Sequence, residues 1–351
     1  MFSGLRRVVL QWHSPALILA VLLPLSLLCG AEGAPDAANQ GSSGLSGESN
    51  QPAQAGNQPS SLAGIPTTPD DQPEEPDFAF ITGGPYTQKK NSPQFIFPSA
   101  WGSRRSNVGG GIFHLQHAEF GTLLRTEYGL TDRWELDVIF SAEGERHRLG
   151  QQQLASTFAL ADTVVGARYR LLQESSAPIT LTMGPQFIIP TGSFPSGTGN
   201  SAMGYAWDVA AAKDWGGPVF MYASANYSFF PSVRPEVAGA PRHFPLHNIF
   251  GATALVFRPL EKDRGPNHHD IHLFFEYGLG REEGLELDTS IRKTATTLSV
   301  FAPGIRYGIL TKTAKLIEFG VSFPIGLNQA TPRGGIIVQL QFENLFGYKG
   351  E

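Results

Sequence analysis

From about residue 92 to the end of the chain, apolar and polar residues alternate one by one. In the last such stretch Ile336, Val338, Leu340 and Phe342 alternate with Ile337, Gln339, Gln341 and Glu343. Further back, Ile317, Phe319, Val321, Phe323 and Ile325 lie on one side, with Glu318, Gly320 and Ser322 on the other. Ile271, Leu273, Phe275, Tyr277 and Leu279 repeat the pattern, as do Trp134, Leu136, Val138 and Phe140 set against Glu135, Asp137, Ile139 and Ser141. A period of two is the signature of a β-strand with two unlike faces. About twelve such segments are predicted, near 93–103, 111–129, 133–145, 157–172, 178–190, 204–214, 218–230, 246–258, 269–281, 295–309, 314–327 and 334–346. No convincing amphipathic helix occurs after residue 35.

The connections alternate in length. Short ones fall at Gly129–Arg133, Gln173–Ala177, Lys213–Pro218 and Leu310–Ala314, and long ones at Glu143–Ser156, Thr191–Met203, Pro231–Pro245 and Gly280–Thr294. Arg258–His268 is longer than the other short turns. Short turns at one end and long loops at the other are the layout of a transmembrane antiparallel β-barrel, with the short turns on the periplasmic side. An even strand count puts both termini on that side. The expected fold is therefore all-β: a closed outer-membrane barrel of about twelve strands over residues 92–351.

The segment before the barrel divides in two. Arg6 and Arg7 precede an apolar run from Ala16 to Leu28, and small residues follow at Gly30, Ala31, Gly33 and Ala34. This is the pattern of a secretory signal peptide, assigned to residues 1–33. Cys29 stands where a lipoprotein cysteine would, but Leu27 and Leu28 before it are bulky for a lipidation site. Residues 34–91 form a low-complexity leader of Asn, Gln, Ser, Gly, Pro and Ala, too poor in apolar side chains over 35–76 to offset its ordering entropy. It reads either as a spacer or as a plug for the barrel.

Composition sharpens the choice of solvent for the apolar face. Charged residues are only 16% of the chain, and aromatic residues are 11%, with 24 Phe. The net charge of −5 gives no basic surface for nucleic acid. A single cysteine excludes a disulfide framework and a cysteine-based zinc site. On the polar face, charges of both signs recur from strand to strand: Glu119, Arg125, Glu127, Glu135, Asp137, Arg168, Arg170, Asp208, Glu276, Arg306, Glu318 and Glu343. In a barrel with an apolar exterior these residues line the lumen. Opposed acids and bases there would either form a polar core or set a transverse field that selects small solutes. The same alternation also suits a soluble β-barrel that binds a ligand inside.

Three motifs carry a family resemblance. Tyr128-Gly-Leu-Thr-Asp-Arg-Trp-Glu-Leu-Asp-Val138 closes one hairpin, Ala161-Asp-Thr-Val-Val-Gly-Ala-Arg-Tyr-Arg170 follows, and Ile189-Pro-Thr-Gly192 ends a strand. The succession resembles the outer-membrane transporter family named for the meta-pathway of phenol degradation. The resemblance implies a barrel of about twelve strands that takes up small, often hydrophobic or aromatic, compounds. The C-terminal stretch of Arg333, Gly335, Val338, Leu340 and Phe342 resembles the signal read by the barrel-assembly machinery, although the chain continues to Glu351. The partners implied are outer-membrane lipid, that machinery and a small solute.

Other chemistries fit less well. Thr191–Gly199 is rich in glycine but lacks the Lys-Ser/Thr and the helix of a phosphate loop. His268, His269, Asp270 and His272 read as a solvated cluster at a strand start. His114 and His117, three apart on a strand, point to opposite sides and cannot share a metal. An outer-membrane lipid hydrolase would place His and Ser two apart on one face, and no His-x-Ser occurs. No enzyme activity, cofactor or metal is expected.

Overall fold

The computed structural model describes residues 79–108, 113–149, 152–192, 198–215, 217–233, 243–259, 268–287, 291–310 and 316–343. The assignments of a signal peptide, of Cys29 and of most of the leader lie outside the described residues, as does the chain beyond 343. Every regular element described is a strand. In chain order these are β1 (Pro93–Val108), β2 (Phe113–Gly129), β3 (Trp134–Leu149), β4 (Gln152–Leu160), β5 (Thr163–Leu172), β6 (Thr180–Ile189) and β7 (Gly204–Asp214). They continue as β8 (Val219–Val233), β9 (Phe244–Phe257), β10 (His268–Leu287), β11 (Ile291–Leu310), β12 (Leu316–Ser322), β13 (Ile325–Gly326) and β14 (Gly334–Glu343).

These segments make twelve staves. β4 and β5 follow one another along β3, and β12 and β13 follow one another along β11. Each stave pairs antiparallel with the next, and β1 pairs with β14 from Gln94↔Glu343 to Ser103↔Gly334. The sheet thus closes on itself, as a sheet that stands in lipid must.

The alternation decides the two faces. Phe97, Trp101, Trp134, Phe140, Trp207 and Phe319 are exposed, while Ile96, Glu135, Ile139, Ala206 and Glu318, each one residue away in sequence or parity, are buried. Aromatic pairs brace the outer face between staves, as where Trp134 and Tyr169 meet at 4.8 Å.

Two connections differ from the sequence expectation. Glu143–Ser156 and Gly280–Thr294 read as long loops. Instead β3 continues to Leu149 and pairs with β4, and β10 and β11 run in register out to Leu287↔Ile291. There the outward positions become polar, for example Arg281, Glu283 and Lys293. The alternation therefore fades although the ladder continues.

One stave is interrupted at Phe323 and Pro324. β12 pairs with β14 only as far as Ser322↔Ile337, and β13 pairs with β11 alone. Proline has no N–H to give the ladder. The wall at this seam is completed by single bonds, Gly335 N to Pro324 O at 3.0 Å and Arg333 N to Ser103 O at 3.1 Å.

Candidate functional site: the barrel interior

The interior is filled at its short-turn end by the chain's own residues 79–92. Asn91 has a left-handed backbone (φ 61°), a conformation asparagine tolerates better than most residues. That turn folds the chain back from β1. Asn91 N donates to Gly129 O at 2.7 Å, and Ser92 N donates to Lys89 O at 2.9 Å. A side chain at Gly129 would strike the Lys89 carbonyl, so a residue without Cβ is required there.

The segment then binds inward-facing side chains through its backbone. The Glu276 carboxylate accepts the amides of Phe80, Ile81 and Thr82 at 2.9, 3.0 and 2.9 Å. Gly83 N donates to Ser224 Oγ at 3.0 Å, and Gln88 N donates to Glu135 Oε2 at 2.7 Å. The Phe80 ring fits over Gly304 and Gly320, where added side chains would collide with it. It also meets Phe274 edge-on at 5.4 Å.

Beneath this segment lies a charge network. Arg168 Nη2 reaches Glu135 at 2.6 Å and Glu127 at 3.0 Å, and Arg168 Nη1 donates to Gly84 O at 2.9 Å. Arg125 reaches Glu127 at 2.9 Å and Asp137 at 2.6 Å. Glu127, Glu135, Asp137, Arg168 and Arg170 are all buried, Glu127 and Glu135 completely. Arg170 Nη2 donates to Asp132 O. Arg306 sits 3.6 Å from Glu318, its guanidinium 4.9 Å from the Phe274 ring. Asp208 and Asn226 face each other across β7 and β8. His272 is buried rather than solvated, with Nε2 3.0 Å from Asp270, because its parity turns it inward. The structure brings Glu127, Glu135, Asp137, Arg125 and Arg168 into one cluster. Glu276 is drawn to the inward segment, and Glu119 lies apart, near the opposite end.

Above residues 79–83 is a cavity of about 230 Å³. Ile96, Leu123, Ile139, Phe250, Leu298 and Val300 make its apolar wall, and Arg125, Asp208, Asn226, Glu119 and Glu143 its polar points. It also touches Trp101, Gly102, Pro324, Pro332, Gly334 and Gly335, so it reaches the interrupted seam. Residues 79–91 belong to the stretch read either as a spacer or as a plug, and they occupy the interior; the seam was not predicted. Pro324 within an alternating run was the one available signal.

No protein-family profile matches the chain, and no curated protein matches it. Solved structures do. An outer membrane channel from Pseudomonas putida F1 aligns at a TM-score of 0.50 and 14% identity, covering 74% of this chain and 96% of that one. The translocator domain of the autotransporter NalP from Neisseria meningitidis aligns at 0.40 and 10% identity, over 73% of this chain and 88% of that one. A deletion mutant of the TodX monoaromatic hydrocarbon channel aligns at 0.38 and 8% identity, over 73% and 91%. At these identities the likeness is one of fold: this chain has the closed β-barrel fold of outer-membrane channels.

Proposed function

We propose that the chain is an outer-membrane channel for small, hydrophobic or aromatic solutes, as its motifs' resemblance to the phenol meta-pathway transporters implies. The apolar aromatic exterior and the closed ladder support a place in lipid. The observation that carries the reading is the internal cavity. Its wall is mainly apolar, its floor is residues 79–83, and it extends to a seam where the ladder is broken. A small apolar molecule gains by leaving water for such a wall, and the few polar points orient it. The charges of Arg125, Glu127, Glu135, Asp137 and Arg168 are mutually paired, which suits a closed base better than a wide aqueous pore.

Cells expressing the chain should take up labelled toluene faster than cells lacking it, and equal rates would sink the solute assignment. In planar bilayers the full chain should conduct weakly, and a variant lacking residues 79–91 should conduct several-fold more. Equal conductance would mean that the segment does not obstruct the path.

A further inference from the structure

β2 and β3 set His117 directly opposite His147, and Glu119 directly opposite Glu145, toward the long-loop end of the interior. The two Nδ1 atoms are 3.2 Å apart. His117 Nε2 lies 2.6 Å from Glu119, and His147 Nε2 lies 2.8 Å from Glu145. An ionised carboxylate only accepts hydrogen bonds, so each Nε2 carries its ring's proton. Each Nδ1 then presents a lone pair, and the two lone pairs face one another. That arrangement is repulsive unless a metal ion or a shared proton lies between them.

The spacing suits a metal ion. Bonds of about 2.0–2.1 Å at a tetrahedral angle place two imidazole nitrogens about 3.3 Å apart. A carboxylate on the far N–H is also how metal-bound imidazoles are commonly held in orientation. An independent observation points the same way. Glu143, two residues from Glu145 on the same face, is buried, and its Oε2 has no hydrogen-bond partner. Glu282 from β10 is a further inward acid near Glu119 and Glu143. Arg104, opposite His117 on β1, turns away to donate to Ala330 O at 3.2 Å. Among the described residues no Lys or Arg forms an ion pair with these four acids.

We propose that His117 and His147 bind one first-row divalent transition-metal ion through Nδ1, with Glu119 and Glu145 as positioning residues. Copper, nickel and zinc are the ions that imidazole pairs favour. The remaining coordination positions face the acid-lined interior and take water or the Glu145 carboxylate, which offers an oxygen within 4.8 Å of a nitrogen of each ring. The ion would join β2 to β3. The site is independent of which solute the barrel carries.

The test uses the full chain in detergent, stripped with chelator and then titrated with Cu²⁺ or Zn²⁺. One equivalent should bind, and the Cu²⁺ electron paramagnetic resonance spectrum should show two nitrogen ligands. Glu119→Gln should weaken binding about 10–100-fold. The double variant His117→Ala/His147→Ala should lose it, whereas His247→Ala should retain it. Unchanged gel mobility of unboiled samples would show that each variant is folded. Absence of stoichiometric binding at micromolar ion, a copper spectrum without nitrogen, or full binding by the double variant would overturn the proposal. The first of these is the result expected if the two imidazoles merely share a proton. The wild-type spectrum decides the matter even if the double variant does not fold.

Discussion

The two ends of the barrel interior solve the same problem in opposite ways. Each carries several buried carboxylates. At the short-turn end Glu127, Glu135 and Asp137 face Arg125 and Arg168, and the backbone of residues 79–92 adds bonds to Glu135 and Arg168. At the long-loop end Glu119, Glu143, Glu145 and Glu282 gather with two histidines and no paired Arg or Lys among the described residues. The first region is closed because each of these acids is paired with an arginine of the same chain. The second has no Lys or Arg paired with its acids among the described residues, and it faces a cavity. Burial alone therefore does not mark a structural core, because what matters is whether the opposite charge is supplied by the same chain.

Arg168→Met should cause the largest damage. It leaves Glu127 and Glu135 buried without their shared cation, a loss of about 3–5 kcal/mol. The midpoint of urea unfolding, followed by gel mobility, reads this directly, and an unchanged midpoint would break the contrast between the two ends. Glu276→Gln should cost about 2 kcal/mol, since a charged acceptor of three amides becomes a neutral one. The barrel should remain closed while hydrogen exchange quickens at Phe80, Ile81 and Thr82. Ala167→Arg places a charge on the outer face of β5 and should cost about 2 kcal/mol in lipid. Correct assembly of this variant would show that the faces are reversed.

Glu143→Gln should act in the opposite direction to any loss of charge at the short-turn end. Measured at alkaline pH with chelator present, it should stabilise by roughly 1 kcal/mol, because it removes one of several like charges that would there lie near each other in a medium less polar than water. Destabilisation would imply a cation partner at that end. The smallest effect belongs to Lys293→Ala. Its pair with Glu283 at 2.6 Å is partly exposed at the far rim, and the change should be below about 1 kcal/mol.

Much of this was legible in the alternation of residues. Parity alone put Arg168, Glu135 and Asp137 on one face and Tyr169, Trp134 and Leu136 on the other, because a strand offers only two sides. Strand ends were less legible wherever the outer face turned polar, as at Arg281 and Lys293. For residues 79–91 the plug was legible only as one of two alternatives, because their bonds run from backbone amides to partners such as Glu276, nearly two hundred residues away, and so leave no periodic trace. His117 and His147 are thirty residues apart, and only the β2–β3 register brings their rings together. The closer pair in sequence, His114 and His117, drew attention instead.

The single turn at Asn91 has a consequence for how the interior is vacated. Residues 79–92 are covalently attached to the stave beside which they lie, so their local concentration is in the millimolar range that a short tether enforces. Their departure is a unimolecular event whose rate does not depend on how much protein is present. A separate peptide with the same sequence, added at micromolar concentration to a barrel lacking these residues, would fill fewer barrels than the attached segment does.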